Sequence, residues 1–227
     1  MRRRLAVLLL APALAACGGG GGGKTASIPA GGGTQATTGP SPAASGCRQV
    51  AAPRPKPEGG RHKPKAPLDA SRTWTATVVT NCGAFTFRLD PKTAPHAAAS
   101  FVALARSHFF DGTIFHRIVP GFVIQGGDPE GNGQGGPGYN VVEKPPSSLR
   151  YVRGVVAMAK TGSEPAGTAG SQFFVVTGAR AGLPPDYAIL GRVVRGLPVV
   201  ERIGRLGGSS EQPTETVAIR AVRIRAS

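Results

Sequence analysis

The first 71 residues of this 227-residue chain hold long Gly- and Pro-rich runs and almost no periodic apolar pattern, so one folded domain of about 155 residues is expected. The formal net charge of +15 favours anionic partners in general, but Arg2, Arg3 and Arg4 supply three of those charges. From residue 72 onward 17 basic residues face 10 acidic ones, scattered apart from a modest cluster at Arg220, Arg223 and Arg225, so a solvated basic surface is expected and nucleic-acid binding is not.

The chain opens MRRRLAVLLLAPALAAC, a positive segment before an apolar run that ends in small residues, which is the pattern of a secretory signal. The run is too short to span a bilayer, which takes ~20 apolar residues. Leu14-Ala15-Ala16-Cys17 resembles the lipobox of bacterial lipoproteins. That resemblance implies a signal peptide over residues 1–16 and lipid attachment at Cys17, whose nucleophilic sulfur takes the diacylglycerol. It places the protein on the extracytoplasmic face of a cell membrane, with two or three acyl chains enough for stable anchoring. The alternative is an ordinary signal peptide cleaved near Ala16 with an incidental cysteine.

Residues 17–71 read as a flexible tether, first Gly/Ser/Thr/Ala-rich and then Pro-rich with Lys and Arg, with a reach on the order of 40 Å. Its basic residues are candidates for contact with anionic lipid or wall polymer, a merely soluble spacer being the alternative. Cys47 and Cys82 remain once Cys17 is assigned, and in an exported chain an even pair suggests a disulfide; two free thiols are the other reading.

The domain, 72–227, begins with two β-rich runs, Trp74–Thr80 and 85–89, joined by a turn at 81–84 that contains Asn81 and Gly83. Pro95 then opens a helical pattern at 96–107, with Ala97, Phe101, Leu104 and Ala105 on one face. Further strands are predicted at 114–119, 122–125, 154–159, 172–177, 188–194 and 216–224, and a second helix at 197–203. Eight strands with two helices make a mainly β domain, a closed eight-stranded antiparallel barrel capped by two helices, with a sandwich left open by pattern alone.

Two blocks carry the chemistry. Phe115-His116-Arg117-Ile118-Val119-Pro120-Gly121-Phe122-Val123-Ile124-Gln125-Gly126-Gly127-Asp128 and Gly170-Ser171-Gln172-Phe173-Phe174-Val175 resemble the two signature runs of the cyclophilins. Between them Gly133-Gln134-Gly135-Gly136-Pro137-Gly138-Tyr139 and Val155-Val156-Ala157-Met158-Ala159 are similar to that family's glycine loop and the strand after it. The resemblance implies a cyclophilin-like barrel and a peptidyl-prolyl cis-trans isomerase acting on exported, proline-containing polypeptides.

The chemistry follows from elementary considerations. An X-Pro bond turns slowly because partial double-bond character sets a barrier near ~18–20 kcal/mol, and no covalent bond has to break. A catalyst needs a slot for the ring and a cation that favours the twisted amide, for which an always-charged guanidinium is suited. The resemblance assigns Arg117 as that donor, with Gln125 beside it as the second catalytic residue. It assigns Phe122, Val123, Phe174 and Leu183 to the proline pocket, Ala159 to backbone pairing with the peptide, and Tyr187 to the pocket wall, while Gln125 and Gln172, lining the same groove, are candidates to hold the substrate backbone and orient Arg117. Strand alternation independently puts Val123 with Gln125, and Gln172 with Phe174, on shared faces. His116 neighbours Arg117 along a strand and should face away, so it reads as packing rather than as part of a trio with Ser171 and Asp128.

Three rim positions depart from the family pattern: Lys160-Thr161 follows Ala159, which suggests a preference for acidic residues near proline; Gly182 stands where a tryptophan is common; and Tyr187 replaces a histidine. Since that tryptophan donates a hydrogen bond to cyclosporin, weak inhibition by the drug is expected. No cofactor and no metal are expected: the histidines and cysteines lack ligand spacing, and the glycine loop lacks the Lys-Ser/Thr ending of a phosphate cradle. The partners expected are proline-containing polypeptides and, through the lipid, a membrane, with the protein a monomer. A peptide-binding holdase that uses the same groove with little turnover is the alternative function.

Overall fold

The computed structural model describes residues 46–227. Ten strands are present among them: β1 Trp74–Thr80, β2 Gly83–Leu89, β3 Arg117–Val119, β4 Val123–Gly126, β5 Val141–Val142, β6 Val155–Met158, β7 Thr168–Ala169, β8 Phe173–Val176, β9 Ile189–Arg195 and β10 Ile219–Ala226. Eight of them form one antiparallel sheet in the order β10-β1-β2-β9-β6-β8-β4-β3, and β5 pairs with β7 in a small separate ladder. The eight are the strands expected from periodicity, and the two-residue strands β5 and β7 are too short to leave a periodic signal.

The sheet curls so that its inner face encloses the core. Alternation decides which side chains enter it: on β1 Trp74, Ala76 and Val78 are buried while Thr75, Thr77 and Val79 are only partly covered. Phe173 lies at the centre, its ring meeting Phe101, Phe110 and Phe115 at centroid distances of 5.6, 5.9 and 6.0 Å. Contacts of this edge-to-face kind add about 0.5–1.5 kcal/mol each beyond area burial. The end strands β10 and β3 do not share a ladder. Residues just before β3 bridge them instead, through the Ile114–Ala218 pairing and the bonds Gly112 N–H to Ile219 O and Phe115 N–H to Val217 O.

Two helices cover the barrel, α1 Pro95–Arg106 and α2 Leu197–Gly204. Pro95 suits the first turn of α1 because its missing N–H would have no partner there. The cap residue Ala94 offers no side-chain acceptor, and the Glu143 carboxylate from a distant loop accepts the Ala97 N–H at 2.8 Å in its place. Gly196 starts α2 at φ +75°, and a Cβ there would come within 2.5 Å of the Ala84 carbonyl, so the close passage of α2 over β2 requires glycine.

Residues 46–71 depart from the expected flexible tether. Cys47 and Cys82 are joined in a disulfide, and beyond it the chain runs along the domain without helix or strand. The N–H groups of Arg48, Lys56, Gly59, Arg61 and Leu68 donate to the carbonyls of Asn81, Pro129, Gly136, Pro137 and Pro95. Leu68 is buried, and the Lys56 ammonium donates to the carbonyls of Phe109 and Asp111 just beyond α1. Proline and charge gave this segment the composition of a self-repelling coil. Yet proline also pre-extends a chain, so its few free N–H groups reach loop carbonyls at reduced entropic cost. Among the described residues, 46–71 are thus bonded to the domain that follows them.

Candidate active site

The outer face of β3, β4, β8 and β6 carries a second apolar cluster, built on Val123, Tyr151, Val155, Ala157, Phe174 and Val176. Phe173 points into the core and Phe174 out, since successive side chains in a strand take opposite faces. Register then lines up the chemistry. Arg117 stands opposite Gln125, Gln125 opposite Phe174, and Phe174 opposite Ala157, one row across four strands. The small Ala157 at the end of that row leaves room above it.

A hollow of about 100 Å³ opens on this row, lined by Arg117, Phe122, Val123, Gln125, Ala159, Lys160, Phe174, Leu183 and Tyr187. Its volume is on the scale of a few waters, suited to one small ring rather than to a large side chain. Every expected site residue of the barrel except Gln172 lines it. Gln172 lies next door in a second hollow of about 440 Å³, bounded by the glycine loop, Glu58, Thr161 and Glu164, which shares Gln125, Ala159 and Lys160 with the first.

The Arg117 side chain, about one-third exposed, is held on two sides. Its Nε donates to Glu211 Oε2 at 2.7 Å, and Nη1 reaches Gln125 Oε1 at 3.4 Å. Its Cζ stands 5.9 Å from the centre of the Phe122 ring. The ion pair is exposed at both ends, and the guanidinium remains at the rim of the apolar slot. Hydrogen bonding and charge from Arg117 hold the Glu211 carboxyl below its usual range. Glu211 is itself fixed by the Ile118 N–H, which donates to its carbonyl at 2.7 Å. Nothing in the sequence marks it, because it lies 94 residues from Arg117 in a loop without a motif.

Gln125 passes this order onward: its Nε2 donates to Gln172 Oε1 at 3.0 Å, and Gln172 Nε2 donates to the carbonyls of Gly133 and Gly135. Both amides were expected to hold substrate backbone and to orient Arg117. The Gln172 amide is bonded to Gln125 and to the glycine loop, and Gln125 in turn reaches Arg117. The Ala159 N–H donates to the Gln172 carbonyl, so its own carbonyl is the group left facing a peptide.

The far wall is aromatic. Phe174 and Tyr187 meet at 5.5 Å, and Tyr151 packs under both. The Tyr151 hydroxyl donates to the Tyr187 carbonyl at 2.6 Å and accepts the Tyr187 N–H at 3.0 Å; burial pushes the phenol up to about 12 against the opposing pull of the backbone bonding. Tyr151 is a supporting residue that sequence reasoning missed, since nothing distinguishes it from any core aromatic. The Lys160 ammonium lies 5.5 Å from the Tyr187 ring centre and donates to the carbonyls of Thr161 and Glu164. Gly182 takes φ +67° with open space before it.

His116 faces away from the hollow, with its ring near Gly133 and both ring nitrogens buried without a hydrogen-bond partner among the described residues. Burial holds its imidazole below the usual range, against an opposing pull from Asp128. Asp128 accepts the N–H groups of Glu130, Asn132 and Gly133, and the Ser171 hydroxyl donates to the Gly127 carbonyl. The three groups serve the loop and make no catalytic trio. Among the described residues no cluster of three or more His, Cys, Asp or Glu is placed to hold a metal.

The comparisons with known proteins agree with this geometry. The family model for cyclophilin type peptidyl-prolyl cis-trans isomerases matches residues 75–224. Peptidyl-prolyl cis-trans isomerase A of Mycobacterium tuberculosis is 36% identical over 171 residues, covering 67% of this chain and 92% of its own. Peptidyl-prolyl cis-trans isomerase B of Streptomyces anulatus is 37% identical over 169 residues, covering 66% and 95%. A crystal structure of a cyclophilin type isomerase from Cryptosporidium parvum superposes with a TM-score of 0.63 at 32% identity, over 68% of this chain and 99% of that one. Another structure of the same isomerase, obtained in the presence of the dipeptide Ala-Pro, matches with the same score. With its signature runs folded into one cross-strand row beside an apolar slot, the chain belongs to the cyclophilin-type peptidyl-prolyl cis-trans isomerases.

Proposed function

We propose that Arg117 and the hollow beside it accelerate rotation about X-Pro bonds in polypeptides outside the cytoplasm, with the enzyme held at a membrane through a lipid on Cys17. The proline ring enters the slot between Phe122, Val123, Phe174 and Leu183, and the flanking carbonyl lies against the Arg117 fork. As the amide twists, its nitrogen recovers a lone pair and becomes a better acceptor, so the guanidinium interaction strengthens toward the transition state. Only such differential stabilisation raises the rate, at about tenfold for each 1.4 kcal/mol. Glu211 and Gln125 restrict the fork before substrate arrives.

The observation that supports this reading best is the row Arg117, Gln125, Phe174, Ala157, which sets a permanent cation at the edge of a proline-sized slot. The Arg117→Ala variant is expected to lose roughly 10²-fold or more in kcat/KM on an X-Pro peptide, in line with the removal of one preorganised donor, while peptide affinity is largely kept. Equal slow turnover by the variant and the parent, with binding intact in both, would instead favour a holdase. Weak inhibition by cyclosporin belongs to the same reading, since Gly182 offers no indole at the rim.

Export and anchoring rest on the sequence of residues 1–17, which lie outside the described residues. A monomer is the state assumed for the enzyme.

A further inference from the structure

The sequence scatters its arginines, but the sheet gathers five of them. On the outward face of β10, β1, β2 and β9, cross-strand register builds two parallel rows. One runs Arg225, Thr75, Arg88, Arg192, and the next runs Arg223, Thr77, Thr86, Arg195. All five arginines are exposed. The four strands contain no Asp or Glu, and none of the five arginines is in an ion pair among the described residues. Arg192 donates to the Arg153 carbonyl, and it is Arg153 that takes the nearby Glu201 carboxylate at 3.5 Å. Within the second row the hydroxyls of Thr77 and Thr86 lie 2.9 Å apart, and Val194 stands half exposed beside them.

We infer that this arginine face is a docking surface for an anionic phospholipid bilayer. Like charges gathered on one face repel one another, and among the described residues no carboxylate pairs with them, so an external anion completes the face. Guanidinium forks bind phosphate in bidentate fashion, and threonine hydroxyls add donors at the same level. A bilayer suits the face better than a nucleic acid does. The rows come from sheet strands rather than from a helix that could enter a groove, and they hold no aromatic side chain on which a base could stack. The signal-like residues 1–17 also direct the chain to a membrane. Strand order keeps this face clear of catalysis, because β10-β1-β2-β9 form one half of the sheet and the hollow sits on the other half, β6-β8-β4-β3. A docked enzyme therefore keeps its groove open to polypeptides near the membrane.

The test uses the full chain carrying Cys17→Ser, so that no lipid contributes and a failure of the anchoring proposal is seen separately. Sedimentation with vesicles of phosphatidylglycerol and phosphatidylcholine in equal parts is compared with pure phosphatidylcholine vesicles. Binding to the anionic vesicles alone is expected, weakening as salt rises. A basic residue near such a surface is worth about fivefold in partition, so Arg223→Gln/Arg225→Gln should lose roughly 25-fold. The control Lys92→Gln/Arg205→Gln removes the same charge from elsewhere and should lose far less. Isomerase activity equal to that of the parent certifies that each variant is folded. Equal losses in the two double variants would reduce the effect to net charge and overturn the assignment. So would binding to double-stranded DNA at matched salt without binding to vesicles.

Discussion

At the scale of single residues, the site works through side chains whose freedom has been removed. Arg117 is restrained by Glu211 and Gln125, Gln125 by Gln172, and Gln172 by two loop carbonyls. The His116 ring packs behind the same loop, near Gly133. Because burial depresses its imidazole below 6.5 in the fold, the unfolded chain binds the extra proton first as pH falls. The contribution of His116 to stability is therefore present above about pH 6.5 and lost on acidification through the folded value. His116→Gln, which cannot titrate, should flatten the dependence of Tm on pH below 6.5. An unchanged acid slope in that variant would show that other groups set it.

At the scale of elements, the segment 46–71 acts as a strap, closed at one end by the Cys47–Cys82 bridge and at the other by buried Leu68. It lends Glu58 to the wall of the larger hollow, and Gly59 passes so close to Gly138 that a Cβ on the latter would fall 2.8 Å from the Gly59 Cα. Closing a loop with a sequence separation of 35 restricts the unfolded chain by roughly 3–4 kcal/mol on the entropy model. Cys47→Ala/Cys82→Ala is therefore expected to lower Tm by roughly 6–15 °C for a domain of this size. Hydrogen exchange at the amides of Gly59 and Arg61 should quicken with it. A Tm unmoved by the double substitution, or by reduction of the parent, would mean that the strap is held by its backbone bonds alone.

At the scale of the whole molecule, sheet order separates surfaces: the candidate site occupies the half that ends in β3, and the five exposed arginines, without an ion pair among the described residues, occupy the half that ends in β10. The proposed lipid anchor belongs to this scale. Cys17→Ser in a bacterial host that processes lipoproteins should move the protein from the detergent-extracted membrane fraction toward the soluble one and abolish acyl labelling, while kcat/KM stays unchanged. Acyl labelling that persists in the variant would sink the assignment of Cys17. Residual membrane association without acyl label is what the arginine face predicts, and it should disappear at high salt.

What the sequence determined alone was what depends on short range: the eight main strands and two helices, because alternation and helical spacing are local, and the slot residues Phe122, Val123, Gln125 and Phe174, because two ungapped runs carry them together. It also singled out Arg117 as the proposed catalytic cation, since the neighbours of that residue are as specific as the residue itself. Only the tertiary structure decided which distant groups serve that cation. Glu211 and Tyr151 reach the site from outside the strands, through tertiary packing that no local pattern encodes. The same holds for the strap, whose proline-rich composition suits a free coil and a docked chain equally, and for the five arginines, which become one surface only when four strands are laid side by side. Pairing in a sheet joins residues far apart in the chain, so charge that looks dilute along the sequence becomes concentrated in space.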